Sequence, residues 1–189
     1  MVMNTNNEER KNMSDYFMLE CFMPEGQGSF AMIKAVYLSE QASWRAGEKF
    51  KSVPPTPLQI GIRSGYKDDL KEMYYADALV VSKRLHNALQ TAGVDNMDTY
   101  ECVISNAETG FKTDDYIAVN LLGLVSSSDL DMVKLRGELT MEALKEKGYL
   151  MFRLAENPSA IMVHKSVKEH LQKEGFDMLT FMEPEKWMV

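Results

Sequence analysis

The chain has 189 residues, of which 45% are hydrophobic and 26% charged, and its formal net charge is −7 at pH 7. This composition is typical of a folded protein, and no apolar run approaches the roughly 20 residues that a membrane-spanning helix needs. The acidic balance argues against nucleic-acid binding, because phosphate contacts require a basic surface. We therefore expect neither a membrane nor a nucleic acid among the partners.

The first residues predict a polar tail and a cytoplasmic protein. Residues 1–14 mix polar and charged side chains, without an apolar segment behind a basic one, so they do not resemble a secretory signal. The two cysteines, Cys21 and Cys102, lie far apart in the sequence and form no CxxC pair. This favours reduced, buried thiols over a disulfide framework.

Strands are the main predicted elements of the first third of the chain. Alternating apolar residues predict a strand over 16–22, and a turn-rich segment follows. Residues 29–40 fit either a strand or a helix. Residues 44–57 contain three prolines and predict an extended loop before an apolar strand at 58–62.

The chain contains one segment twice. Residues 78–95 have the sequence ALVVSKRLHNALQTAGVD, and residues 160–177 have the sequence AIMVHKSVKEHLQKEGFD, an ungapped match. Each copy begins with a short β-branched run, continues with an amphipathic helix pattern and precedes another apolar run. The sequence therefore predicts two copies of a strand-helix-strand unit, at 78–104 and 160–182.

Three residues have predicted structural roles in these units. Ser82 is placed to cap a helix over 83–92, because its hydroxyl can accept a hydrogen bond from a free backbone N–H group. Gly93 and Gly175 follow the two helices, where a left-handed backbone favours glycine. The second copy has His164 in place of Ser82, which weakens the predicted cap.

The segment between the copies predicts an apolar strand over 116–125, a strand over 132–138, a short helix over 139–148 and a strand over 149–155. The whole pattern predicts an α+β fold with a mixed sheet.

For the domain organisation we expect a tail at 1–14 and a single domain over 15–189. A division into two lobes, 15–75 and 76–189, is the alternative.

The spacing of the histidines does not indicate a metal site. His164 and His170 are separated by a predicted strand-to-helix junction, and no ligand cluster lies near them. We expect His170 to be half-buried on the helix and His86 to lie on the surface. No nucleophile motif flanks either cysteine, so the sequence indicates neither a metal site nor a catalytic residue.

Acidic residues are concentrated in one stretch. Residues 94–133 contain eight acids and one base. Four of these acids flank the strand over 116–125: Asp114, Asp115, Asp129 and Asp131. They fit a solvated pair of loops, or a patch that attracts a basic partner, and we take them as the candidate partner-binding residues.

Four segments together resemble a known family: ALVVSKRLHNALQTAGVD, YIAVNLLGLVSSSDLD, MFRLAENPSAIMVHKSVKEHLQKEGF and, more loosely, WRAGEKF. They span roughly residues 44–182. With them the chain resembles immunity protein family eleven of bacterial polymorphic toxin systems, formerly a domain of unknown function. The resemblance implies a cytoplasmic bacterial protein that neutralises a cognate toxin by binding it, with no reaction and no cofactor of its own. The acidic charge fits a basic toxin.

Two other classes of function remain open. One is a small-ligand-binding protein or enzyme with a cleft between the two repeat units. The candidate lining residues of that cleft are Tyr116, Asn120, Arg153 and His164. The other class is a structural or regulatory component of an oligomer.

Overall fold

The computed structural model describes residues 15–21, 30–38, 42–125 and 149–183. Within these ranges the chain forms eleven strands and two helices. The strands are β1 (Tyr16–Cys21), β2 (Leu58–Gly61), β3 (Met73–Ala76), β4 (Ala78–Ser82), β5 (Met97–Ser105), β6 (Lys112–Thr113), β7 (Tyr116–Leu121), β8 (Leu124–Val125), β9 (Met151–Leu154), β10 (Ile161–His164) and β11 (Leu179–Met182). The helices are α1 (Lys83–Thr91) and α2 (Lys165–Lys173).

The strands form two mixed sheets. The five-stranded sheet has the order β11-β1-β10-β9-β8, and the six-stranded sheet has the order β2-β5-β7-β4-β3 with β6 paired to β5. The pairs β8–β9 and β2–β5 are parallel, and the other pairs are antiparallel. The α+β class is confirmed, with two sheets where we expected one.

Each helix connects two strands of one sheet. β4 and β5 both pair antiparallel with β7, one on each side of it. They therefore run parallel to each other, and α1 connects them. β10 and β11 lie in the same way on either side of β1, and α2 joins them. The N-terminal strand β1 therefore lies inside a sheet whose other strands come from the last 66 residues of the chain.

The largest core lies between the two sheets and contains the apolar faces of both helices. The alternation of side chains along a strand decides which residues enter it. Leu79 and Val81 of β4 belong to this core, whereas Ala78 and Val80 face a second core on the other side of the same sheet. Burial of each such aliphatic side chain stabilises the fold by about 1.5–3 kcal/mol.

The predicted strand over 116–125 is wrong, because it consists of two strands that belong to different sheets. The chain bends at Gly123, which has φ +108° and donates its N–H to the Gly47 carbonyl at 2.9 Å. The bend takes the chain from β7 in the six-stranded sheet to β8 in the five-stranded sheet. A continuous strand cannot pair in both sheets.

Other expectations met a mixed outcome. Residues 30–38, which fitted a helix or a strand, run as an irregular segment with one bridge between Ile33 and Ile62. The strand β3 was not predicted. The tail at 1–14, the strand at 132–138 and the helix at 139–148 lie outside the described residues. Neither described helix has the length and apolar character to cross a bilayer.

The two helices have different side chains at the same capping position. The Ser82 hydroxyl accepts a hydrogen bond from the Leu85 N–H at 3.0 Å, as predicted. At the start of α2 the ring nitrogen Nδ1 of His164 accepts from the Ser166 N–H at 3.2 Å. The expectation of a weakened cap overlooked that an imidazole nitrogen is also an acceptor.

We expect Ser82→Ala and His164→Ala each to lower the free energy of unfolding by about 1 kcal/mol, because each leaves a backbone N–H without its cap. His164→Ser should restore the acceptor and lie between His164→Ala and the wild type, since it still lacks the ring contact with Tyr16 at 5.2 Å. Urea unfolding checks the order. Equal stability of His164→Ser and His164→Ala contradicts the capping role of the ring.

Gly93 and Gly175 have φ values of +92° and +72°, as predicted for glycines after helices. We expect Gly175→Ala to destabilise the fold by about 1 kcal/mol through backbone strain alone, since a Cβ atom there meets nothing within 4 Å. Gly93→Ala should destabilise more, because its Cβ would lie 3.2 Å from Cδ1 of Leu150. Thermal unfolding of both variants tests the order, and a Gly93→Ala variant as stable as the wild type contradicts it.

Candidate functional site

Two of the four candidate acidic residues lie in the turn between β6 and β7. Asp114 and Asp115 are exposed, and we call them the acidic turn. The turn is fixed by Thr113, whose hydroxyl donates to Asp115 Oδ2 at 2.9 Å and accepts from the Asp115 N–H at 3.1 Å. Asp129 and Asp131 lie outside the described residues. The acidic turn therefore presents its carboxylates to solvent from an ordered backbone.

A cavity of about 160 Å³ adjoins the acidic turn. It is lined by Pro57, Lys83, Glu101, Cys102, Val103, Asp114 and Tyr116. Two of the lining side chains, Cys102 and Tyr116, stay protonated at neutral pH. Burial raises the pKa of the Cys102 thiol to about 11, and it raises the pKa of the Tyr116 hydroxyl as well. The Tyr116 hydroxyl is also engaged, donating to the Lys71 carbonyl at 2.9 Å. At neutral pH neither group is a nucleophile or a base here.

The structure does not place the other three candidate cleft residues in that cavity. Asn120 is buried and donates from Nδ2 to the Glu48 carbonyl at 2.7 Å. His164 caps α2 as described above, and Arg153 is buried in β9. A cavity of about 260 Å³ does lie between the two helices. It is lined by Arg84, Asn87, Ala88, Thr91, His170, Glu174 and Phe176, and so by none of the four candidates.

The expectation that His86 lies on the surface is wrong. His86 is buried on α1, and among the described residues neither of its ring nitrogens has a hydrogen-bond partner. It follows Leu85 directly, so the buried face of α1 is wider than the stripe that the sequence indicated. His170 is partly buried, as expected, and both thiols are free and buried. In the described ranges no three His, Cys, Asp or Glu side chains cluster as metal ligands would.

Among the described residues, the most exposed aromatic side chain lies in a region that we did not select from the sequence. Residues 30–38 cross from the end of β2 to the end of β3: the Lys34 N–H donates to the Gly61 carbonyl at 2.7 Å, and the Val36 N–H donates to the Ala76 carbonyl at 2.8 Å. Ala31, Ile33 and Val36 of this segment are buried, and Met32, Lys34 and Tyr37 are exposed. Tyr37 is 82% exposed, and Tyr75 on the neighbouring edge strand β3 is 41% exposed.

Three basic side chains line a cavity together with Tyr75 and Met32. We use the name β3-edge surface for six residues: Met32, Tyr37, Arg45, Arg63, Lys71 and Tyr75. Its centre is a cavity of about 330 Å³, which we call the β3 cavity. The cavity is lined by Met32, Ile33, Ala35, Arg45, Arg63, Lys71, Tyr74, Tyr75, Ala76 and Asp77. Three cations and one carboxylate thus line one cavity of an acidic protein.

Part of this charge is already paired. Arg45 Nη2 lies 2.9 Å from Asp77 Oδ1, in an ion pair that solvent reaches. Lys71 Nζ lies 5.0 Å from the centre of the Tyr74 ring, within range of a cation–π contact. In the part of the chain that the structure describes, Arg63 and Lys71 have no ion-pair partner. The β3 cavity therefore has a positive net charge.

A fourth cation lies near the cavity, in the protein interior. Arg153 is 1% exposed and donates from Nη1 to the Pro158 carbonyl at 2.6 Å, but among the described residues its Nε and Nη2 have no partner. Burial lowers the pKa of Arg153 to about 10, and the charge of Arg45 contributes to the same effect. Tyr75 is the wall residue that interacts with Arg153, while its hydroxyl donates to the Leu19 carbonyl at 2.7 Å.

No known protein family matches the chain, and no curated protein matches it. The resemblance to immunity protein family eleven therefore stays a prediction. The geometry of the surface is what bears on function.

The β3-edge surface has only a weak signal in the sequence. Residues 31–37, AMIKAVY, contain one charged residue, Lys34, and lie in a segment that fitted a helix or a strand, so the sequence did not show which side chains face outward. Arg45, Arg63 and Lys71 are scattered along a chain with 21 basic residues, so no basic run marks them. Arg45, Arg63 and Lys71 come together only in the folded structure, where they line the β3 cavity.

Proposed function

We propose that the chain is an immunity-type protein that binds a cognate bacterial toxin and neutralises it through a protein–protein interface, without a reaction of its own. One observation carries this proposal: the exposed Tyr75 and Met32 line the β3 cavity together with Arg45 and Arg63, and the exposed Tyr37 lies on the same segment as Met32. Tyrosine, methionine and arginine are enriched at protein interfaces, and tyrosine and arginine supply many of the residues that dominate binding energy.

A hydrogen bond from the buried Trp44 side chain fixes the backbone next to Tyr37. The Trp44 indole N–H donates to the Val36 carbonyl at 2.9 Å, one residue before Tyr37. The Trp44 ring itself packs edge-on against Phe50 and Tyr100, with ring centres 4.9 and 5.5 Å apart. A surface that is ordered before binding loses less conformational entropy when the partner arrives. This supports a binding role for the exposed tyrosines.

Charge supports the same proposal at longer range. The net charge of −7 favours encounter with a basic toxin, and the acidic turn adds two exposed carboxylates on a fixed backbone. Such charges act mainly on the association rate, because they attract the partner before contact.

The small-ligand alternative has one observation in its favour. The β3 cavity, at about 330 Å³, is within the lower range of ligand pockets. On this alternative a small molecule would co-purify with the chain from native lysate, whereas the toxin-binding proposal requires a protein partner in equal amounts.

We expect Tyr37→Ala to weaken binding of the toxin encoded beside this protein by at least about tenfold, or about 1.4 kcal/mol, because it removes an exposed aromatic contact. The melting temperature should stay unchanged, since Tyr37 is 82% exposed. Val53→Ala is the matched control, because Val53 is 73% exposed and lies outside the β3-edge surface. Biolayer interferometry gives the affinities. Equal affinity of both variants and the wild type would show that the interface lies elsewhere.

The acidic turn generates a kinetic prediction. The double variant Asp114→Lys/Asp115→Lys should bind the toxin with a slower association rate, more visibly at low salt, where screening is weak. Asp95→Lys/Asp177→Lys is the control: both residues are exposed, and the net charge changes by the same amount. Stopped-flow kinetics at two ionic strengths separates the two. If both variants slow association equally, net charge alone attracts the toxin.

A further inference from the structure

We infer that the β3 cavity receives a carboxylate from an acidic segment of the partner, between Arg45, Arg63 and Lys71. The inference rests on the proposed function only in taking that partner to be the toxin. The proposed contact is positively charged, whereas the whole protein is negatively charged.

The charge balance of the cavity wall is the first reason. Asp77 is the one carboxylate in the lining, and it already pairs with Arg45 at 2.9 Å. Arg63 and Lys71 face the same space without a carboxylate of their own within the described ranges. Like charges that share a cavity repel each other, so an anion from outside would be stabilised there. A guanidinium also matches a carboxylate with two parallel hydrogen bonds.

The buried Arg153 is a supporting observation. A buried guanidinium with two nitrogens unpartnered among the described residues is unfavourable, since its charge has lost water without gaining a counter-ion. Burial is the main cause of the lowered pKa of Arg153, and the charge of Arg45 adds to it. Arg153 therefore supports the positive character of this region, while the lining of the β3 cavity carries the inference.

The rim of the cavity favours a peptide segment over a free anion. Met32 and Tyr75 line the cavity and are both substantially exposed, and the exposed Tyr37 lies on the same segment as Met32. A small inorganic anion needs only the cations. A segment with an acidic side chain between apolar neighbours would cover the rim and place its carboxylate inside.

The acidic net charge is compatible with this contact. Attraction of the whole partner acts over the Debye length, about 8 Å at physiological salt, whereas the cavity acts at contact. A toxin that is basic overall can therefore be attracted by the −7 charge and still need one carboxylate at the right place. A partner that must be basic overall and must also carry one carboxylate at this position is recognised more specifically than by either property alone.

The chain alone provides the first test, by NMR titration with a capped tetraglutamate peptide, a capped tetralysine peptide and inorganic phosphate as probes. We expect tetraglutamate to shift the amide signals of residues 71–77 and of Arg63 saturably, and tetralysine to leave them unchanged. The variant Arg63→Gln/Lys71→Gln should bind tetraglutamate at least tenfold more weakly. Lys51→Gln/Lys67→Gln is the control, because it removes the same charge from exposed positions outside the cavity lining.

Three results overturn the inference: no localised shift with tetraglutamate, equal binding by the two double variants, or binding of phosphate as tight as that of tetraglutamate. The last result would make the cavity a site for small anions. Thermal melts confirm that the variants fold.

The toxin provides the second test and separates this inference from the proposed function. If the wild type binds the toxin and Arg63→Gln/Lys71→Gln binds it equally well, the carboxylate contact is wrong and the proposed function stands. If the wild type binds tetraglutamate at the cavity but not the toxin, the anion site stands and the proposed function is wrong.

Discussion

The apolar faces of α1 and α2 are buried in one core between the inner faces of both sheets. Leu85 and Leu89 of α1 and Val167 and Leu171 of α2 are fully enclosed there, together with inward residues of β1, β4, β7 and β10. Neither helix could bury its stripe alone, because nine residues form only two and a half turns. The packing of both helices against both sheets follows from this shared core.

Polar contacts at the rim fix how the elements around this core approach one another. Arg84 on α1 donates to Glu72 at 3.0 Å and to the Glu174 carbonyl at the end of α2 at 2.7 Å. Its guanidinium also lies 3.9 Å from the centre of the Phe176 ring. Exposed ion pairs contribute little to stability, so we attribute to Arg84 a role in positioning the elements that it contacts. It aligns the approach to β3 with the C-terminal end of α2.

The β3-edge surface lies at the other side of β3, at the end of the six-stranded sheet. β3 is the last strand of the six-stranded sheet, and residues 30–38 cover one side of it through backbone hydrogen bonds. Ala31, Ile33 and Val36 are inward, which turns Met32 and Tyr37 outward. The same packing that buries one face of the segment therefore exposes the other, and it brings a positive cavity to the surface of a negative protein.

The sequence by itself determined the α+β class, the two helices, the Ser82 cap and the positive φ of Gly93 and Gly175, because each depends on neighbours within a few residues. Only the tertiary structure decided that residues 116–125 split between two sheets, that His86 is buried and that Arg45, Arg63 and Lys71 meet. These features depend on pairing and packing between distant segments, which local propensity and charge counts do not encode. The acidic turn was visible as a cluster in sequence, whereas the basic cavity is a cluster in space alone.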